Sequence, residues 1–186
     1  MENKGIKTKS DYLDYDLALN KAKELLKSDK TKVMGLYIIV SINTGLRIGD
    51  VIQLQWEQLR LDSFKIVEQK TGKDRIIKVN DKISSAVSLF DNMKGIVFKS
   101  QKGSIYSRQQ LNRKLKSTFS RQVKSGNNIS SHSLRKTFGR RVWNNLDCSD
   151  SALIVLSELF NHTSVKVTRT YLGIRQEELN DVYMSL

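Results

Sequence analysis

"SSHSLRKTFGRRVW", residues 130–143, is the stretch from which the rest of the chain is read. It places His132 three residues before Arg135, so on a helix the two side chains share one face. Ser130 or Ser131 stands where an N-cap belongs, and the open N–H groups of a first turn favour an anion. Histidine and arginine at a helix start suit a phosphate, and Lys136, Arg140 and Arg141 follow on the same segment. The pair alone is a weak signal, because H-x-x-R is common on helix surfaces. Yet the chain has only two histidines, and one of them falls on its most basic part.

The charge distribution points the same way. The net charge is +13, from 32 Lys and Arg against 19 Asp and Glu. No acidic residue occurs between Asn92 and Leu146, a segment that holds 13 basic ones, whereas elsewhere the two signs balance. An ordinary solvated face mixes both signs. A single-sign surface suits a polyanion, and the expected partner is nucleic acid. The candidate phosphate contacts are Lys99, Lys102, Arg108, Arg113, Lys114, Lys116, Arg121, Lys136, Arg140 and Arg141.

A chain of 186 residues, 39% of them hydrophobic, is long enough for one good-sized core. No apolar run approaches the ~20 residues of a membrane span, and "MGLYIIVSI", residues 34–42, reads as a buried helix. The opening "MENKGIKTKS" has no apolar core of a secretory signal. Cys148 is the only cysteine, which excludes an internal disulfide, and two histidines argue against a zinc site. The expectation is a cytoplasmic protein that uses no metal or other cofactor and does not enter a membrane.

Outward from residue 130, the pattern is mainly α with a small antiparallel β-sheet, an α+β chain. "DYDLALNKAKELLKS" (14–28) has helical periodicity, and "KTKVMGLYIIVSIN" (30–43) is a second helix ending near Thr44-Gly45, where glycine suits the cap. "RIGDVIQLQW" (47–56) restarts a short helix. "SFKIVEQ" and "DRIIKVN", separated by "KTGK", predict a hairpin. "DKISSAVSLFDNM" (81–93) reads as a helix capped by Asp81, and "SRQQLNRKLKSTFSRQV" (107–123) as a long basic one. Helices are expected at about 131–146, 150–160 and 164–172. The tail 174–186 carries Leu179, Val182, Tyr183 and Leu186 at helical spacing beside Glu177, Glu178 and Asp181.

Two further stretches carry chemistry. "NTGLRIGD" (43–50) puts Arg47 at another helix start, with Asp50 three residues on to orient its guanidinium or simply to pair with it. Two arginines at two helix starts can clamp one phosphate and stabilise the charge that develops on a pentavalent phosphorus. In "LFNHTSVKVTRTYLG" (159–173), His162 and Tyr171 are nine apart, on opposite faces of a straight helix. They converge only if the helix starts after His162, where Thr163 or Ser164 offers a cap.

Together these pieces resemble the tyrosine recombinase (phage integrase) family, whose order is T-G-x-R-x-x-E, a hairpin lysine, H-x-x-R, a G-H-like histidine and a tyrosine nine residues later. Here the order is Thr44-Gly45-Leu46-Arg47, Lys70, His132 and Arg135, then His162 and Tyr171, spread over residues 30–175. Asp50 stands where glutamate is usual, and Asn161 where glycine is, a residue that tolerates the same left-handed backbone. Lys70 is taken as the hairpin lysine over Lys65, Lys73 and Arg75 because it sits at the turn. The resemblance implies a catalytic-domain fold over residues 1–186 and metal- and ATP-independent DNA cleavage and rejoining, with Tyr171 as nucleophile. Arg47, Lys70, His132, Arg135 and His162 would serve it, and the phosphotyrosyl bond would conserve the energy. It also implies a chain that is monomeric in solution and self-associates on DNA, as a tetrameric synapse, with the tail exchanged between protomers. Only 46 residues precede Arg47, so a catalytic fragment or a naturally minimal member, without the family's N-terminal DNA-binding domain, is expected. A DNA-relaxing or end-resolving enzyme would use the same residues, and a non-catalytic DNA-binding module would need only the basic stretch.

Overall fold

A helix apolar on nearly every side organises the fold. The computed structural model describes residues 10–100, 103–123, 128–174 and 183–185. Helix α2 (Lys32–Thr44) buries Met34 through Ile42, because its sequence offers solvent almost no polar face. Around it pack α1 (Tyr15–Leu26), α5 (Asp81–Val87) and α7 (Ser131–Asn145). Single-turn helices α3 (Ile48–Val51) and α4 (Trp56–Leu59) lead into an antiparallel hairpin, β1 (Ser63–Val67) paired with β2 (Asp74–Lys78). Helices α6 (Arg108–Phe119), α8 (Asp150–Phe160) and α9 (Val165–Leu172) complete the described elements.

The expected mainly helical chain with a small antiparallel sheet is therefore what forms. Two details differ. Asn80, not Asp81, caps α5, its side chain accepting from the Ile83 N–H, and Asp81 lies in the first turn. Helices α5 and α6 stop at Val87 and Phe119, short of the expected 93 and 123. Lys102, Lys124 and residues 175–182, most of the tail, lie outside the described residues.

Two apolar clusters divide the interior. The larger surrounds α2 and includes Trp56, Phe98, Phe119 and Leu134. The smaller joins Trp143, Leu153, Leu156, Phe160 and Leu172. Helix α7 runs through both, with Leu134 in one and Trp143 in the other. Gly139 permits its close approach to α8 and α9, since a Cβ there would stand 2.6 Å from Leu172 and 3.0 Å from the Phe160 ring. The seam between the clusters is where the candidate residues meet. Among the described residues, no helix is long and apolar enough to cross a membrane.

Candidate active site

The path to Arg47 begins with the end of α2. Gly45 closes that helix in the left-handed conformation, φ 61°, and its N–H bonds to the Ser41 carbonyl. Arg47 follows with extended backbone as the N-cap of α3. Its Nη1 donates to Glu68 Oε2 at 2.6 Å and its Nη2 to the Phe160 carbonyl at 2.9 Å.

Arg135 arrives from the other side. Of the two candidate serines, Ser130 caps α7, in a reciprocal pair with Ser133. Arg135 lies one turn on, 4% exposed, with Nη1 donating to the Gly45 carbonyl and Nη2 to the Phe160 carbonyl at 3.3 Å. The guanidinium also lies 4.3 Å from the Phe160 ring centroid. Burial pulls the Arg135 pKa down to about 10, helped by Arg47 and Arg75 and opposed by Tyr171, so it stays charged at neutral pH. Both arginines thus converge on the last residue of α8.

His162 and Tyr171 reach the same place through the expected break. Asn161 caps α8 in the left-handed conformation, φ 50°. Ser164 caps α9, so a new helix begins after His162. The two rings then stand 5.2 Å apart between centroids, and His162 Nδ1 shares a 2.9 Å hydrogen bond with Thr168 Oγ1. Tyr171 Oη donates to the His132 carbonyl in a long contact of 3.5 Å.

Titration follows from this setting. Burial, reinforced by Arg135, Arg47 and Lys70, lowers the His162 pKa to about 4. Partial burial and the charges of Arg135, Lys136, Lys70 and Arg47 hold His132 below its ordinary value. Both rings are neutral at pH 7 and can accept protons. Burial pushes the Tyr171 phenol up to about 12, with Arg135 and Arg47 pulling the other way. A phenol so held needs a base before it can attack.

The hairpin corrects one assignment and supplies a residue that sequence reasoning missed. Asp50 does not orient Arg47. Its Oδ1 accepts from the Gln69 N–H at 2.9 Å, pinning the hairpin turn, and its buried Oδ2 has no hydrogen-bond partner among the described residues. The reason is reach: Asp50 faces the turn, where a backbone donor past β1 needs an acceptor, while Arg47 extends to Glu68. That carboxylate sits at the end of β1, on the face that buries Phe64. Counting alternate residues inward along "SFKIVEQ" would have exposed an acidic side chain pointing into the fold.

Of the four cations near the turn, three are committed. Lys65 pairs with Asp74 at 2.6 Å, Lys73 donates to Asn161 Oδ1 at 2.7 Å, and Arg75 bonds to Glu68 and to two carbonyls. Lys70 is exposed, and its charge is felt at both histidines.

The basic segment divides in two. Lys99, Arg108, Arg113, Lys114, Lys116 and Arg121 are exposed, while Leu111, Leu115 and Phe119 of α6 face the core. Lys136 departs from its expected place on the DNA-facing surface. It is 5% exposed, donates to the Ser10 carbonyl at 2.6 Å and lies 5.2 Å from the Tyr171 ring centroid. The cause is the segment before α1, which runs along α7 through Asp11–Asn128 and Leu13–Thr137 hydrogen bonds. Arg140 and Arg141 are half-buried there as well, over the rings of Tyr12 and Tyr15. Among the described residues no group of three or more His, Cys, Asp or Glu is gathered as for a metal ion.

Comparison with known proteins bears on the family and the fold. The tyrosine recombinase XerD of Lacticaseibacillus casei is 25% identical over 174 residues, covering 86% of this chain and 58% of that protein. The probable integrase/recombinase YoeC of Bacillus subtilis (strain 168) is 26% identical over 162 residues, covering 83% and 85%. Among solved structures, XerA recombinase matches with a TM-score of 0.68 at 20% identity, over 98% of this chain and 66% of that one. A lambda integrase dimer bound to a COC′ core site matches with a TM-score of 0.66 at 17% identity, over 92% and 50%. The chain therefore spans under two thirds of the length of XerD and of XerA. Residues 16–178, nearly the whole chain, match the phage integrase family, and the chain belongs to that family.

Proposed function

We propose that this chain cuts and rejoins double-stranded DNA at specific sites through a 3′-phosphotyrosyl intermediate, as a recombinase or integrase of a phage or other mobile element. The observation that carries the reading is the convergence of Tyr171, His132, His162, Arg47 and Arg135 around the end of α8. Tyr171 Oη attacks the phosphorus of the scissile diester, the Oη–P bond forms, and the bond from phosphorus to the 5′-oxygen breaks. The phenolic proton passes to His132, and Lys70 protonates the departing 5′-oxygen, leaving a free 5′-hydroxyl. Rejoining is the reverse, so the energy of the diester is kept and no nucleotide is consumed.

Arg47 and Arg135 bind the non-bridging oxygens and stabilise the charge that grows on them. His162 shares a hydrogen bond with Thr168 through Nδ1, and in the tautomer protonated on Nε2 it would offer that N–H to the same phosphate. The exposed cations of α6 grip the flanking backbone, which positions DNA without reading its sequence. Protomers, monomeric when free in the cytoplasm, meet on DNA in a tetrameric synapse. The DNA-bound lambda integrase dimer supports assembly on DNA.

Acid, base and charge stabilisation all come from side chains, so adduct formation on nicked duplex DNA should proceed in excess chelator. Activity that stops with chelator and returns with magnesium would instead identify a metal-dependent nuclease.

A further inference from the structure

Glu68 is 4% exposed and sits between two guanidiniums. Its Oε2 accepts from Arg47 at 2.6 Å and from Thr71 Oγ1 at 3.0 Å, and its Oε1 accepts from Arg75 at 3.4 Å. Arg75, 14% exposed at its side chain, is itself clamped. Its Nη2 donates to the Thr44 carbonyl at 2.9 Å and its Nη1 to the Leu159 carbonyl at 3.3 Å. Thr44 ends α2 just before Arg47, and Leu159 precedes the residue whose carbonyl receives both site arginines. Arg75 therefore ties together the ends of two helices and presents Glu68 to Arg47.

A carboxylate this buried is costly unless its charge is met. Burial alone would raise the Glu68 pKa, and Thr71, Arg47 and Arg75 together bring it below the ordinary value, so it stays ionised. One negative charge between two positive ones leaves the cluster cationic, so Arg47 keeps attraction for an anion while its fork is held. Arg47 is a long side chain, 20% exposed, and its bonds to Glu68 and Phe160 fix where the fork points.

We infer that Glu68, anchored by Arg75, is a positioning residue for Arg47 and sets the rate of phosphoryl transfer rather than the affinity for DNA. The inference rests on the reading given under the proposed function. A misplaced clamp weakens stabilisation made in the transition state, whereas ground-state DNA binding is shared among many cations.

The test is single-turnover adduct formation by the full chain on a library of nicked duplexes randomised around the nick. The member most enriched by the unaltered protein then serves for the variants. Glu68→Gln, which keeps shape and removes charge, should slow adduct formation about 10- to 100-fold, with DNA affinity changed less than about threefold. In an Arg47→Ala background the same change should add nothing beyond about twofold, because its effect passes through Arg47. Should Glu68→Gln fail to fold, Arg75→Lys carries the test. One ammonium cannot bridge two carbonyls and a carboxylate, so a similar slowing is expected. A normal rate in a folded variant overturns the inference alone, as does a full multiplicative loss in the double variant. No adduct from the unaltered protein on any library member overturns the functional reading beneath it.

Discussion

Arg47 and Arg135 donate to one carbonyl oxygen, that of Phe160, at 2.9 and 3.3 Å. Arg135 also holds the Gly45 carbonyl in the turn that leads to Arg47, and the shared acceptor brings the two guanidiniums to one point. A phosphate bound beside that carbonyl would find both guanidiniums already held in place.

Replacing either arginine by alanine should cost roughly 2.7–4 kcal/mol of barrier, by analogy with loss of one oxyanion donor. Single-turnover adduct rates check this, and a normal rate in either variant contradicts the clamp. The two variants should differ in stability. Arg135 is the more buried and holds the carbonyls of Gly45 and Phe160, so Arg135→Ala should lower the melting temperature more than Arg47→Ala.

Acid should weaken the fold partly through His162. Its folded pKa, about 4, lies below the ordinary 6.5, so between those values the unfolded chain binds more protons. The contribution of His162 is complete above pH 6.5 and is lost as pH falls towards 4, and His132 acts in the same direction. Melting temperatures measured from pH 4 to 7.5 should fall on the acid side, less steeply in His162→Gln. Parallel curves for the two proteins would show that His162 is not held neutral by the fold.

Salt should separate the two halves of the basic segment. Arg113 and Lys116 are exposed on α6, so alanine at either should reduce the slope of log binding constant against log salt by about 1. Lys136 is buried against Ser10 and Tyr171. Lys136→Ala should leave the slope unchanged and lower the melting temperature instead. A slope reduced as much by Lys136→Ala as by Arg113→Ala would return Lys136 to the DNA-facing surface.

Local chemistry made much of this legible in the sequence. The hairpin follows from two β-rich runs around "KTGK", and the turn at Gly45 from a glycine after an apolar helix. The meeting of His162 and Tyr171 depends on two nearby residues, left-handed Asn161 and the capping Ser164. Contacts between distant segments left no such trace. Asp50 and Arg47 are close in sequence and suggest a pair, but their acceptor and donor needs are met by the hairpin. Nor does periodicity show that residues 10–13 lie along α7 and cover Lys136 and Thr137. A basic run reads as a solvated face until the segment that packs over it is known.

The most direct test of the central claim is to trap the adduct on a nicked duplex from the randomised library and locate the modified residue by peptide mass spectrometry. The Tyr171 phenol bonds to Arg135 and makes a long 3.5 Å contact to the His132 carbonyl, while its ring packs against Phe160, a contact that phenylalanine keeps, so Tyr171→Phe should keep the fold and bind DNA within a few-fold. The expected result is a 3′-phosphotyrosyl bond at Tyr171 in the unaltered protein and no adduct in Tyr171→Phe. An adduct that persists in the variant, or that maps to another tyrosine such as Tyr183, would contradict the assignment of Tyr171 as the nucleophile.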